Sequence, residues 1–74
     1  MRVEYEPSGL SAVQTLGLDP IAFAGAVPVW VNNNKENINP KGDNARISFQ
    51  NHTYTVTYTV NGNMTVFFIV NVQP

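Results

Sequence analysis

The segment from Thr53 to Val72 constrains this chain more than any other. It reads Thr-Tyr-Thr-Val-Thr-Tyr-Thr-Val, then Asn-Gly-Asn, then Met-Thr-Val-Phe-Phe-Ile-Val-Asn-Val. Period-two alternation leading into an Asn-Gly dipeptide predicts a β-hairpin over 53–72. The outgoing strand is two-faced, with Tyr54, Val56, Tyr58 and Val60 opposing Thr53, Thr55, Thr57 and Thr59. The returning strand is apolar on both faces, because Phe67 and Ile69 alternate with Phe68 and Val70. Such a strand needs cover on each side.

Two registers fit the turn. A two-residue Asn61-Gly62 turn pairs Tyr58 with Thr65 and Val56 with Phe67, mixing threonine and apolar residues on both faces. A three-residue loop over Val60-Asn61-Gly62, with Gly62 left-handed at a bulge, pairs Tyr58 with Met64, Val56 with Val66 and Tyr54 with Phe68. The second segregates an apolar face from a threonine face and is the expected one. In either register Phe67 and Ile69 lie opposite Phe68 and Val70. A helix carrying Leu10, Val13 and Leu16 can cover one face, but the other has no intrachain candidate beyond Trp30. Phe67 and Ile69 are therefore expected to meet a second copy of the chain or a protein partner.

Seventy-four residues make one domain, 1–74, and a core of that size rarely supplies more than roughly 3–5 kcal/mol net. Without cysteine, neither a disulfide nor a thiolate metal site supplements it, and a single histidine, His52, rules out an all-histidine zinc site within one chain. Oligomerisation is the remaining common device, and no cofactor or metal is expected. The net charge is −1, and Arg2, Lys35, Lys41 and Arg46 are scattered rather than gathered on one face, which disfavours nucleic acid. No run approaches the roughly 18 apolar residues of a membrane span. The apolar stretch Ile21 to Val31 contains Pro28 and lacks the basic start of a secretory signal. A soluble chain is expected, with the compartment open.

Upstream, Met1 to Glu6 alternates as a half-buried strand closed by Pro7. A short helix is predicted over about 9–17, with Ser8 as cap and Gly17 as a left-handed stop. Asp19-Pro20 opens a second helix over about 20–26. Pro28 ends it and starts a β-favouring triplet, Val29-Trp30-Val31, read as a strand over 28–32. Residues 32–44 form a polar, Asn-rich loop, long for a compact domain and so a candidate functional segment. Alternation resumes over 45–50, and Asn51-His52 is expected to make a turn or bulge. The fold class is α+β: one small domain, mainly an antiparallel sheet of four or five strands with one or two N-terminal helices. A small closed barrel is the architectural alternative.

No catalytic set stands out. Ser48, His52 and Asp43 can be drawn as a triad, but no Gly-x-Ser-x-Gly elbow presents the serine. Glu4 and Glu6 lie about 7 Å apart on one strand face, where solvent-facing charges are the commoner explanation. Asn37 to Gly42 has calcium-loop spacing, but Lys41 and the absence of carboxylates among its first five residues exclude a hard divalent cation. Asn51-His52-Thr53 and Asn63-Met64-Thr65 are glycosylation sequons, but a chain with ten asparagines produces about one by chance.

Two resemblances are local. Lys35-Glu36-Asn37, followed by Asn39-Pro40, resembles the Lys-Glu-Asn degradation signal read by the eukaryotic anaphase-promoting complex, over three to six residues only. The row Thr53, Thr55, Thr57, Thr59 resembles the Thr-x-Thr rows of ice-binding β-solenoids. A solenoid repeats that row on many strands and this chain has it once, so it reads as a wet β-face.

The expected function is a non-catalytic protein-interaction or assembly module, self-associating or docking on a larger partner. A chain of this size suits a viral accessory or virion component, or a small inhibitor. Its contact residues are expected to be Phe67, Ile69, Trp30, Asn34, Lys35, Glu36 and Asn37. The alternative is a carbohydrate- or small-ligand-binding β domain using Trp30 and the Asn-rich loop.

Overall fold

The computed structural model describes Met1–Pro74, which run as one strand, three helices and three strands. Strand β1 (Arg2–Tyr5) is followed by α1 (Pro7–Thr15), α2 (Pro20–Ala24) and α3 (Val27–Asn33). After a 3-10 turn at Lys35–Asn37 come β2 (Asp43–Phe49), β3 (His52–Val60) and β4 (Val66–Gln73). The sheet order is β1-β4-β3-β2. The last three strands form an antiparallel meander, and β1 pairs in parallel with β4, Val3 level with Phe67 and Tyr5 with Ile69. The fold is α+β as expected, with a mixed sheet of four strands. The first and second strands are its two edges, so the helices cross one sheet face between them.

Each helix begins where a proline can sit harmlessly. Pro7 opens α1, and Pro20 opens α2 behind Asp19, whose Oδ1 accepts from the amides of Ile21 at 2.9 Å and Ala22 at 3.4 Å. Ser8, expected as a cap, instead donates its hydroxyl to the Val70 carbonyl at 2.6 Å, fastening α1 to β4. Gly17 takes the left-handed conformation (φ 74°) after α1.

The expected strand over 28–32 is a correction: Val29, Trp30 and Val31 are helical. Pro28 lies in the first turn of α3, where its missing amide hydrogen costs nothing. Helical spacing carries Phe23, Val27 and Trp30 onto the sheet in succession, and that burial outweighs the β preference of the triplet. The Trp30 ring packs against Tyr58 and Phe67, at centroid separations of 5.8 and 6.2 Å. The Asn-rich segment is accordingly shorter as a loop, being helical to Asn33 and a 3-10 turn at Lys35–Asn37.

Both expected hairpin registers are also corrected. The amide of Asn61 donates to the Val66 carbonyl at 3.3 Å, leaving four residues, Gly62 to Thr65, in the loop. Asn61 organises it: Oδ1 accepts from the amides of Thr65 and Val66, each at 2.8 Å, while Nδ2 donates to Asn63 Oδ1 and Thr65 Oγ1. Tyr58 thereby pairs with Ile69 and Val60 with Phe67, and a bulge at Thr57/Tyr58 resets the ladder so that Val56 meets Val72. The expected turn at Asn51-His52 falls one residue earlier. Gln50 and Asn51 are both left-handed (φ 51° and 65°), the geometry of a two-residue type I′ hairpin.

One core results, with Val13, Phe23 and Val27 from the helices against Ala45, Ile47, Val56, Tyr58, Phe67, Ile69 and Val72 of the sheet. Phe67 and Ile69 are both 0% exposed. Their expected role as a surface awaiting a partner is overturned, because the three helices cover their face and Phe67 stacks on Tyr58 at 4.7 Å. The open sheet face carries Phe68, half-buried, and the threonine row. Thr57 donates to Asn44 Oδ1 at 2.8 Å, Arg46 Nη1 donates to Thr55 Oγ1 at 3.3 Å, and Arg2 pairs with Glu4 at 2.6 Å.

Candidate functional site

β2 is an edge strand, and its hairpin shows which of its main-chain groups are spare. A two-residue turn closes on a hydrogen-bonded pair, Phe49 with His52. Alternation then turns the amide and carbonyl groups of Asp43, Ala45, Ile47 and Phe49 toward β3. Those of Asn44, Arg46 and Ser48 point to the open edge. The Asn44 amide is taken by Asp43 Oδ1 at 2.8 Å. The main chains of Arg46 and Ser48 enter no turn, loop or cap hydrogen bond.

Beside this edge, a cleft of about 220 Å³ separates β2 from α3. On the α3 side, the cap residue Ala26 and the helical Val29, Trp30 and Asn33 recur at three- and four-residue spacing and so share one side of the helix. On β2, three consecutive residues line the cleft, Arg46, Ile47 and Ser48, which means that the strand's own backbone forms a wall. Ile47 is fully buried at the floor, whereas Val29 at the rim is 62% exposed. Arg46 borders the cleft, but its side chain lies on the opposite, open face of the sheet, where its guanidinium donates to Thr55 Oγ1 and makes no ion pair.

Asn34 joins the cleft to a second recess. Its Nδ2 donates to the Trp30 carbonyl at 2.8 Å, closing the end of α3. The adjoining recess, about 300 Å³, is lined by Asn32 to Asn37 and contains no apolar residue. Small-molecule pockets of about 300–1,000 Å³ are lined mainly by apolar side chains. The recess lacks the lining and the cleft lacks the volume.

Of the residues expected from sequence, Trp30 and Asn34 stand in the cleft, and Asn34, Lys35, Glu36 and Asn37 line the recess next to it. Phe67 and Ile69 do not belong to it. Arg46, Ser48, Ala26, Val29 and Ile47 were not foreseen as site residues. Their shared signal is the Arg46-Ile47-Ser48 alternation on a strand, which becomes a site only once β2 is known to be an edge.

The other candidate chemistry is dispersed. Ser48 Oγ lies 3.5 Å from Thr53 Oγ1, the His52 ring meets Tyr54 at 4.6 Å, and Asp43 is occupied by the Asn44 amide. No three His, Cys, Asp or Glu side chains gather as a metal site. No single helix is long and apolar enough to cross a membrane. No protein-family model, curated protein or solved structure matches the chain.

Proposed function

We propose that this protein is a non-catalytic interaction module that takes an extended peptide segment as an added strand on β2, under α3. The observation that carries this reading is the coincidence of two features. The spare amide and carbonyl groups of Arg46 and Ser48 lie along the same edge that walls the apolar cleft. In strand addition the main chain supplies affinity and pockets for alternate side chains supply specificity. Four main-chain hydrogen bonds, each worth about 0.5–1.5 kcal/mol net, hold any sequence equally. Selection falls to the side chain that enters beside Val29 and Trp30. The exposed Val29 at the rim is the apolar surface that such a guest would cover.

The test is selection of octapeptides from a random phage-displayed library, followed by ¹⁵N-HSQC titration of the enriched sequences. Amide shifts concentrated in 44–48 and 26–34 are expected. Ser48→Pro, which removes an outward amide that the fold itself does not use, is expected to abolish binding while leaving the circular dichroism spectrum intact. Enrichment of no sequence, or shifts confined to other surfaces, would remove the proposal.

A further inference from the structure

We infer that the segment taken by β2 carries an acidic residue flanked on each side by an apolar one. This rests on the strand-addition reading and follows from the faces of the sheet. A strand laid against β2 places the residue opposite Arg46 on the open face, beside the Arg46 side chain, and its two neighbours on the helix side. The helix side is apolar there: Ala45 and Ile47 are buried, and Val29 and Trp30 wall the cleft.

The open face has the opposite character. Asn44, Arg46 and Ser48 are exposed, and Arg46 is the only charged residue that the three strands β2, β3 and β4 place there. Its single polar contact is the 3.3 Å hydrogen bond to Thr55 Oγ1, and no carboxylate of this chain pairs with it. An unpaired guanidinium at the middle of a free edge selects a carboxylate at the directly opposed position.

The same charge argues against a second copy in this position. An antiparallel pairing of β2 with β2 that engages the main chains of both Arg46 and Ser48 sets the two arginines directly opposite or diagonal, about 5 to 8 Å apart. Like charges at that spacing destabilise the pair. The opposite edge of this sheet already displays the inferred pattern, since β1 reads Val3-Glu4-Tyr5 with its apolar residues on the helix side and Glu4 on the open face. There Tyr5 is anchored to the Pro20 carbonyl at 2.7 Å and Glu4 is held by Arg2.

The test uses three capped heptapeptides, Ser-Thr-Val-Glu-Val-Thr-Ser and its central Gln and Lys versions, titrated by ¹⁵N-HSQC into wild-type protein and Arg46→Glu. The Glu peptide is expected to bind the wild type about threefold to tenfold more tightly than the Lys peptide. The order should reverse in Arg46→Glu, and the preference should shrink in 1 M salt. Equal affinities with shifts at 44–48 would overturn the acidic preference and leave strand addition standing. If no peptide perturbs 44–48, strand addition itself fails, and this inference with it. A dimer in light scattering whose β2 amides are protected would place a second copy on the edge and overturn it as well.

Discussion

Gly9 of α1 lies directly against the main-chain carbonyl of Ile69, so close that a Cβ at this position would overlap the oxygen. Together with the Ser8 to Val70 hydrogen bond, that contact sets α1 on β4 and puts Val13 into the core. Backbone cannot yield as a flexible side-chain tip can. Gly9→Ala is therefore expected to cost about 1–3 kcal/mol in urea unfolding. Gly62→Ala, in open space, should stay within about 0.5 kcal/mol.

The β3–β4 loop depends on one side chain. Asn61→Ala removes an acceptor for two amides and a donor to two side-chain oxygens. All four bonds lie at or near the surface, so the expected loss is about 1–2 kcal/mol rather than their full sum. Amide exchange at Thr65 and Val66 should accelerate most, and unchanged exchange there would count against the assignment.

Much of the architecture is legible in the residues, and the failures are instructive. The alternation of 45–50 and 53–60 locates two strands, and Asp19-Pro20 marks a helix start. Val29-Trp30-Val31 misleads because its local preference is extended, while the gain from placing Val27 and Trp30 on the sheet is tertiary. Pro28 is compatible with either reading, since it fits the start of a strand or the first turn of a helix. The hairpin register turns on the side chain of Asn61 and a bulge, neither of which a period-two pattern contains. The candidate site is half legible. A tryptophan followed by an asparagine-rich run points to Trp30 and Asn34 to Asn37. Arg46 and Ser48 stay hidden, because β2 becomes an edge only when β1 pairs with β4 at the other side of the sheet.

Phe67 and Val29 separate core from surface. Phe67→Ala should cost about 3–5 kcal/mol, comparable to the whole stability of a domain this size, and circular dichroism should show loss of fold. Val29→Ser, at an exposed rim, should leave thermal unfolding nearly unchanged while weakening peptide binding. A folded Phe67→Ala protein would contradict the place of Phe67 in the core.

Tyr5 confers a pH dependence. Burial, helped by the negative charge of Asp19, raises its hydroxyl pKa to about 12. Because the folded protein holds this proton more tightly than the unfolded chain, the contribution is complete below about pH 10 and is lost as pH rises toward 12. Tyr5→Phe should show a shallower fall in urea midpoint than wild type between those values. Parallel curves would show that Tyr5 contributes no such term.

Hydrogen exchange along β2 tests the free edge most directly. In the unbound protein the amides of Ala45 and Ile47 are expected to be protected and those of Arg46 and Ser48 to exchange rapidly. On saturation with the Val-Glu-Val peptide, Arg46 and Ser48 should become protected while Ala45 and Ile47 change little. A peptide that binds and leaves exchange at Arg46 and Ser48 untouched would contradict strand addition.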